Sequence, residues 1–200
     1  MSATRALVVV DVQRDFCEGG SLEVSGGAGV AAAITELLTG PHGYAHVVAT
    51  RDHHIDPGAH FSASPDFVDS WPPHCVVGTD GVELHDALTF RDFEAVFDKG
   101  EYAAAYSGFE GRSADGEALA DWLSARGVDQ VDVCGIATDY CVRATALDSA
   151  RAGFATTVLL PLTAAVAPDR LPDALTALSG AGVVVSEHTS APRACRSPAP

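Results

Sequence analysis

Three times in this 200-residue chain a short apolar run ends, and a residue able to do chemistry follows at once. Residues 7–10 lead to Asp11, residues 95–97 lead to Asp98 and Lys99, and residues 131–136 lead to the segment carrying Cys141. Short β-branched runs bounded by polar and glycine-rich segments read as buried parallel strands. In open α/β sheets, ligands bind outside the carboxyl ends of the strands. An acid, an amine and a thiol are therefore expected at one edge of one sheet, which is the equipment of a cysteine hydrolase.

Each residue also has an ordinary reading. Cys141 is expected in the first turn of a helix, where free N–H groups and the helix dipole lower a thiol pKa and can hold an oxyanion; a free cysteine is otherwise most often an inert buried thiol. Asp11 is costly at the end of a buried strand unless paired or used, and its plain alternative is a cap or turn. Lys99 would favour negative charge on both neighbours, where a strand-end lysine is usually just solvated. Cys134 reads as core, and Cys17, Cys75 and Cys195 fall in loops or the tail.

A second group sits in the polar segment 51–81. Asp52 and His54, at i and i+2, share a face if the strand geometry persists, and His53 points the other way. His60 follows a Pro-Gly turn, and His74 follows Trp-Pro-Pro. One carboxylate and three imidazoles suit Zn²⁺, Fe²⁺ or Mn²⁺; the alternative is a His-rich loop without metal. A loop of this length inside a domain is usually functional or disordered.

The elements that must carry these groups alternate. Strands are expected at 5–10, 46–49, 94–97, 130–136, 154–160 and 183–185, and helices at 26–38, 82–88, 116–126, 139–152 and 170–178. This order predicts an α/β fold, a mostly parallel central sheet between helical layers with right-handed crossovers. A single domain over 1–188 is expected, with residues 189–200 having the composition of a disordered end.

Apolar content of 47% supports a substantial core. With 12 basic and 27 acidic residues the formal charge is −15, which disfavours nucleic acid or anionic lipid as a partner. No apolar stretch is long enough to cross a bilayer and no signal-like segment is evident, so a cytoplasmic location is expected. Five cysteines without a CxxC pair fit reduced thiols.

Five stretches, VVVDVQRDFCEGGSLEV, VVATRDHHIDPGAHF, SWPPHCVVGT, FDKGEYAAAYSGFEG and VDVCGIATDYCVRATALDSARAGF, resemble the nicotinamidases (pyrazinamidases) of the isochorismatase-like cysteine hydrolases. They run in family order across nearly the whole chain before the tail. The resemblance implies the Rossmann-like, three-layer α/β/α isochorismatase-like hydrolase fold. It makes Cys141 the nucleophile, Asp11 the general base and acid, and Lys99 the third triad member. It makes Asp52, His54, His60 and His74 the ligands of one divalent transition metal. A cis peptide is implied between Ile136 and Ala137, with the Ala137 and Cys141 N–H groups turned to the oxyanion, and Phe16, Trp71, Tyr106, Ile136 and Tyr140 around the substrate.

Tyr140 departs from the His that relatives often carry beside the nucleophile, and His53 from an aromatic. The implied activity is hydrolysis of nicotinamide to nicotinate and ammonia, and of pyrazinamide, through a thioester, by a monomer or homo-oligomer. A related amidase acting on N-carbamoyl or other small amides is the alternative, and such relatives generally lack the metal set. A vinyl-ether hydrolase, which needs no cysteine nucleophile, and a non-catalytic metal-binding module are weaker readings.

Overall fold

β1 (Arg5–Val10) and β4 (Gln130–Ile136) form the middle of the sheet because both are apolar on both faces. Leu7 and Val9 enter one core and Ala6, Val8 and Val10 the other, as the period-2 alternation of a strand requires. The computed structural model describes residues 3–189; the tail expected beyond falls, from residue 190, outside the described residues.

β2 (His46–Asp52) and β3 (Val96–Lys99) flank β1; β5 (Ala155–Ala164) and β6 (Val184–Ser186) flank β4. The order is β3-β2-β1-β4-β5-β6 and every pairing is parallel. The chain thus winds outward in one direction from β1 and in the other from β4, which opens a crevice between the carboxyl ends of those two strands. On one face α1 (Gly27–Thr39) buries Val30, Ala31, Ile34 and Leu38, a helical stripe. The other face is covered by α2 (Leu119–Ala125), α3 (Arg143–Arg151) and α4 (Leu171–Gly180). The expected three-layer α/β/α architecture is what forms.

Several elements differ from expectation; β2, for one, runs three residues further, to Asp52. The helix expected at 82–88 is absent: a single 3-10 turn, Asp80–Val82, precedes irregular chain. Its backbone groups pair with a distant segment instead, Arg14 N–H donating to Glu83 O and His85 N–H to Val12 O. α2 begins only at Leu119, because residues 112–118 fold back on themselves through Ser113 and Glu117. β5 runs on to Ala164 through Pro161; its register against β4 jumps between Val133 and Gly135, and a bulge is where a strand tolerates proline.

Gly135 marks the tightest approach in the sheet. Its φ is +115°, and a Cβ there would lie 2.0 Å from Val10 O on β1. Gly153, at φ +95°, has open space around the same position. Gly135→Ala should therefore cost about 3 kcal/mol or more, strain and overlap together, and Gly153→Ala about 1 kcal/mol from strain alone. Urea unfolding midpoints of the two variants against the wild type check the difference.

Candidate active site

Asp11 leaves β1 with a left-handed φ of +49°, a conformation aspartate tolerates better than most residues. That turn carries its carboxylate over the sheet edge. Thr50, the buried residue beside it on β2, donates its hydroxyl to Asp11 Oδ1 at 2.5 Å, and Asp11 N–H donates to Thr50 O at 3.2 Å. One carboxylate oxygen is fixed in this way. Asp11 Oδ2 lies 2.9 Å from Lys99 Nζ, close enough for an ion pair but at an angle that leaves it without a directed hydrogen bond.

Lys99, the last residue of β3, is 1% exposed. Its ammonium pairs with Asp11, hydrogen-bonds Asp52, donates to Ala105 O at 3.2 Å and lies 3.7 Å from Cys141 Sγ. Burial alone would drive its pKa down; Asp11, Asp52 and the thiol outweigh this and hold it well above the usual lysine value. Burial pushes the Asp11 carboxyl up against the opposing pull of Lys99. For Asp52, burial also pushes upward, but Lys99, His54 and His74 prevail and hold it well below the usual carboxylate range.

Cys141 corrects one expectation. It sits not in the first turn of an α-helix but in a π-helical turn, Thr138–Val142, that runs into α3. The thiol is pushed well up rather than down, because burial and the Asp11 and Asp52 charges outweigh Lys99. These surroundings favour the neutral thiol, whose sulfur lies within 4.8 Å of oxygens of both carboxylates. The Ile136–Ala137 peptide just before it is cis, as the resemblance implied.

The imidazoles gather beside Asp52. His54 Nδ1 donates to Gly100 O at 2.6 Å and His74 Nδ1 to Pro72 O at 2.8 Å, since a carbonyl can only accept. That leaves Nε2 of each ring turned toward Asp52, 3.7 and 3.8 Å from its Oδ2. His54 Nε2 and His60 Nδ1 are buried with no hydrogen-bond partner. Burial, with His74 and His54 close by, lowers the His60 pKa to about 4, so the ring is neutral. One ring nitrogen from each of the three lies within 4.8 Å of the others. Converging imidazole nitrogens around one carboxylate are the donor set that a divalent transition metal takes. His53 faces away to Glu101, as expected.

Between the two groups opens a cavity of about 380 Å³, counting its mouth. Phe16, Trp71, Tyr106, Ile136, Ala137, Tyr140 and Cys141 line it together with Asp52, His60 and His74. Trp71 packs edge-on to Tyr140 at 5.1 Å and donates Nε1–H to Tyr106 Oη at 3.2 Å. His54, fully buried, stands behind the wall.

Sequence reasoning missed several contributors. Thr50 read only as a strand residue, although a buried hydroxyl opposite a strand-end acid is a usable signal. Gln13 clamps β2, donating to Asp52 O and Val82 O and accepting from Asp52 N–H, each at 2.8 Å. Leu22, Val24 and Val166 complete the apolar wall, and nothing local marks them. Gly100, at φ +79°, leaves room for His54: a Cβ there would lie 2.6 Å from the ring. Gly100→Ala should displace His54, break its bond to residue 100 and cost roughly 2–3 kcal/mol. Denaturant unfolding of the variant, with NMR of the imidazole nitrogens, checks both effects.

Among known families, residues 5–190 match the isochorismatase domain. The chain is 58% identical to a Mycobacterium tuberculosis nicotinamidase/pyrazinamidase over 90% of this chain and 96% of that protein. An L. infantum protein crystallised with nicotinate superposes with a TM-score of 0.81 at 36% identity, covering 93% of each chain. A Pyrococcus horikoshii pyrazinamidase in complex with zinc gives 0.79 at 35% identity, covering 91% of this chain and 98% of that one. The chain belongs to the isochorismatase family, within its nicotinamidase/pyrazinamidase group.

Proposed function

We propose that this chain is a metal-containing cysteine amidohydrolase that converts nicotinamide to nicotinate and ammonia, and pyrazinamide to pyrazinoate. The observation that carries the reading is the row Asp11–Lys99–Cys141, with separations of 2.9 and 3.7 Å, opening on an aromatic-walled cavity beside three buried imidazoles. The 58% identity to a nicotinamidase/pyrazinamidase supports the same assignment.

The ring amide sits between Phe16 and Trp71, with Tyr106, Ile136 and Tyr140 closing the site. Asp11 accepts the Cys141 proton through Oδ2, the oxygen that lacks a directed hydrogen bond. Burial raises the pKa of both donor and acceptor: the raised carboxyl is the stronger base, and the raised thiol holds its proton more tightly, a cost that falls to a nearby positive charge. Lys99 stays charged and stabilises the resulting thiolate.

The thiolate attacks the amide carbon, and the Ala137 and Cys141 N–H groups receive the developing oxyanion. Asp11 then gives its proton to departing ammonia, leaving a thioester. Water, deprotonated by Asp11, releases the carboxylate and restores the thiol. Asp52, His54, His60 and His74 would hold the metal, a Zn²⁺, Fe²⁺ or Mn²⁺ ion, which when bound supplies a Lewis acid for the ring nitrogen of the substrate.

Metal-loaded protein should release ammonia from nicotinamide and from pyrazinamide; no release from either would overturn the assignment. Cys141→Ala should lose on the order of 10⁴-fold or more in kcat while keeping its fold and metal content. His60→Ala should lower the metal bound per chain, read by elemental analysis, and raise KM.

A further inference from the structure

The cavity does not end at its mouth. Tyr106 and Tyr140 also line an adjoining groove of about 920 Å³, open space included, whose other walls include Asp69, Asp139, Arg143, Arg170 and Asp173. In a chain with a formal charge of −15, two guanidinium groups line this one groove. The arginines that pair with carboxylates here include Arg5, Arg14, Arg51 and Arg151. Among the described residues Arg143 and Arg170 form no ion pair.

Three acids share the groove, but none forms an ion pair with either arginine. Asp139 is occupied in accepting from the Val166 and Ala167 N–H groups at 2.9 and 2.8 Å. Asp69 and Asp173 lie beyond ion-pair distance of either guanidinium. Arg170 donates one N–H to Tyr140 Oη at 3.3 Å, and Arg143 Nε is buried with no partner at all.

We propose that Arg143, Arg170 and the rings of Tyr140 and Tyr106 form a subsite for a small aromatic carboxylate at the mouth of the cavity. Guanidinium N–H pairs match the two oxygens of a carboxylate, and tyrosine faces receive a flat ring. Resting on the function proposed above, the ligand is the reaction's own anionic product. The neutral amide substrate gains nothing from these arginines. The product gains a charge-complementary station on its way out of an acidic protein, and accumulated product holds the mouth against incoming substrate.

The test compares wild type with Arg143→Gln/Arg170→Gln by calorimetric titration with nicotinate, benzoate and inorganic phosphate, and by initial-rate kinetics on nicotinamide. The double variant is expected to bind nicotinate and benzoate about tenfold more weakly, with the initial-rate KM and kcat for nicotinamide unchanged and inhibition by nicotinate relieved. In the wild type the carboxylate affinity should fall as ionic strength rises. Arg170→Gln alone, at an exposed position, should show part of the loss and guards against misfolding of the double variant.

Unchanged carboxylate affinity in folded variants overturns the proposal. So does an equal rise in KM for nicotinamide, which would make the arginines a part of the wall, or phosphate binding as tightly as benzoate, which would remove the aromatic component. Arginine-dependent benzoate binding by a protein that releases no ammonia would keep the subsite and overturn the assigned activity.

Discussion

The ammonium of Lys99 is out of water and charged, a state whose desolvation costs several kcal/mol unless opposite charges stand close. Asp11 from the end of β1 and Asp52 from the end of β2 supply them. Three neighbouring strands are thereby pinned at their carboxyl ends by a single group. Removal of one partner would strand the others at a cost on the order of 3–5 kcal/mol, so the site and the sheet edge stand together. The same arrangement leaves Asp11 with one oxygen fixed by Thr50 and the other free of directed bonds.

The placement of the site was legible because it depends on strand ends, and strand ends are written in local pattern. Asp11, Lys99 and Cys141 each follow an apolar run, and the i, i+2 spacing of Asp52 and His54 correctly set them together and His53 apart. The fold was legible for the same reason, through alternating periodicities. What stayed hidden depends on partners distant in sequence. The stretch 82–88 has a helical pattern, yet its backbone is used by residues 12 and 14. The first residues expected in α2 close a turn on Ser113. Thr50, Gln13 and Val166 matter only through what lies opposite them.

The acidity of Cys141 shows the limit most clearly. Position at a helix start depresses the pKa of a solvent-exposed thiol. Here Cys141 is 6% exposed with two carboxylates nearby, and the balance reverses. Burial is a tertiary quantity, and no spacing rule reports it. In the proposed mechanism a thiol that keeps its proton at rest needs a base beside it, and Asp11 is the group proposed for that place.

The β1–β4 pairing joins two halves with different duties. The β3-β2-β1 half carries the acid, the amine and the three imidazoles gathered at Asp52; the β4-β5-β6 half carries the thiol and the cis turn before it. Their seam is set residue by residue, ending with Val10 opposite Gly135. A slip of one residue there would slide the halves by about 3.3 Å. That is comparable to the 3.7 Å between Lys99 Nζ and Cys141 Sγ, the separation that crosses the seam. The ladder between two strands is therefore also the ruler of the chemistry.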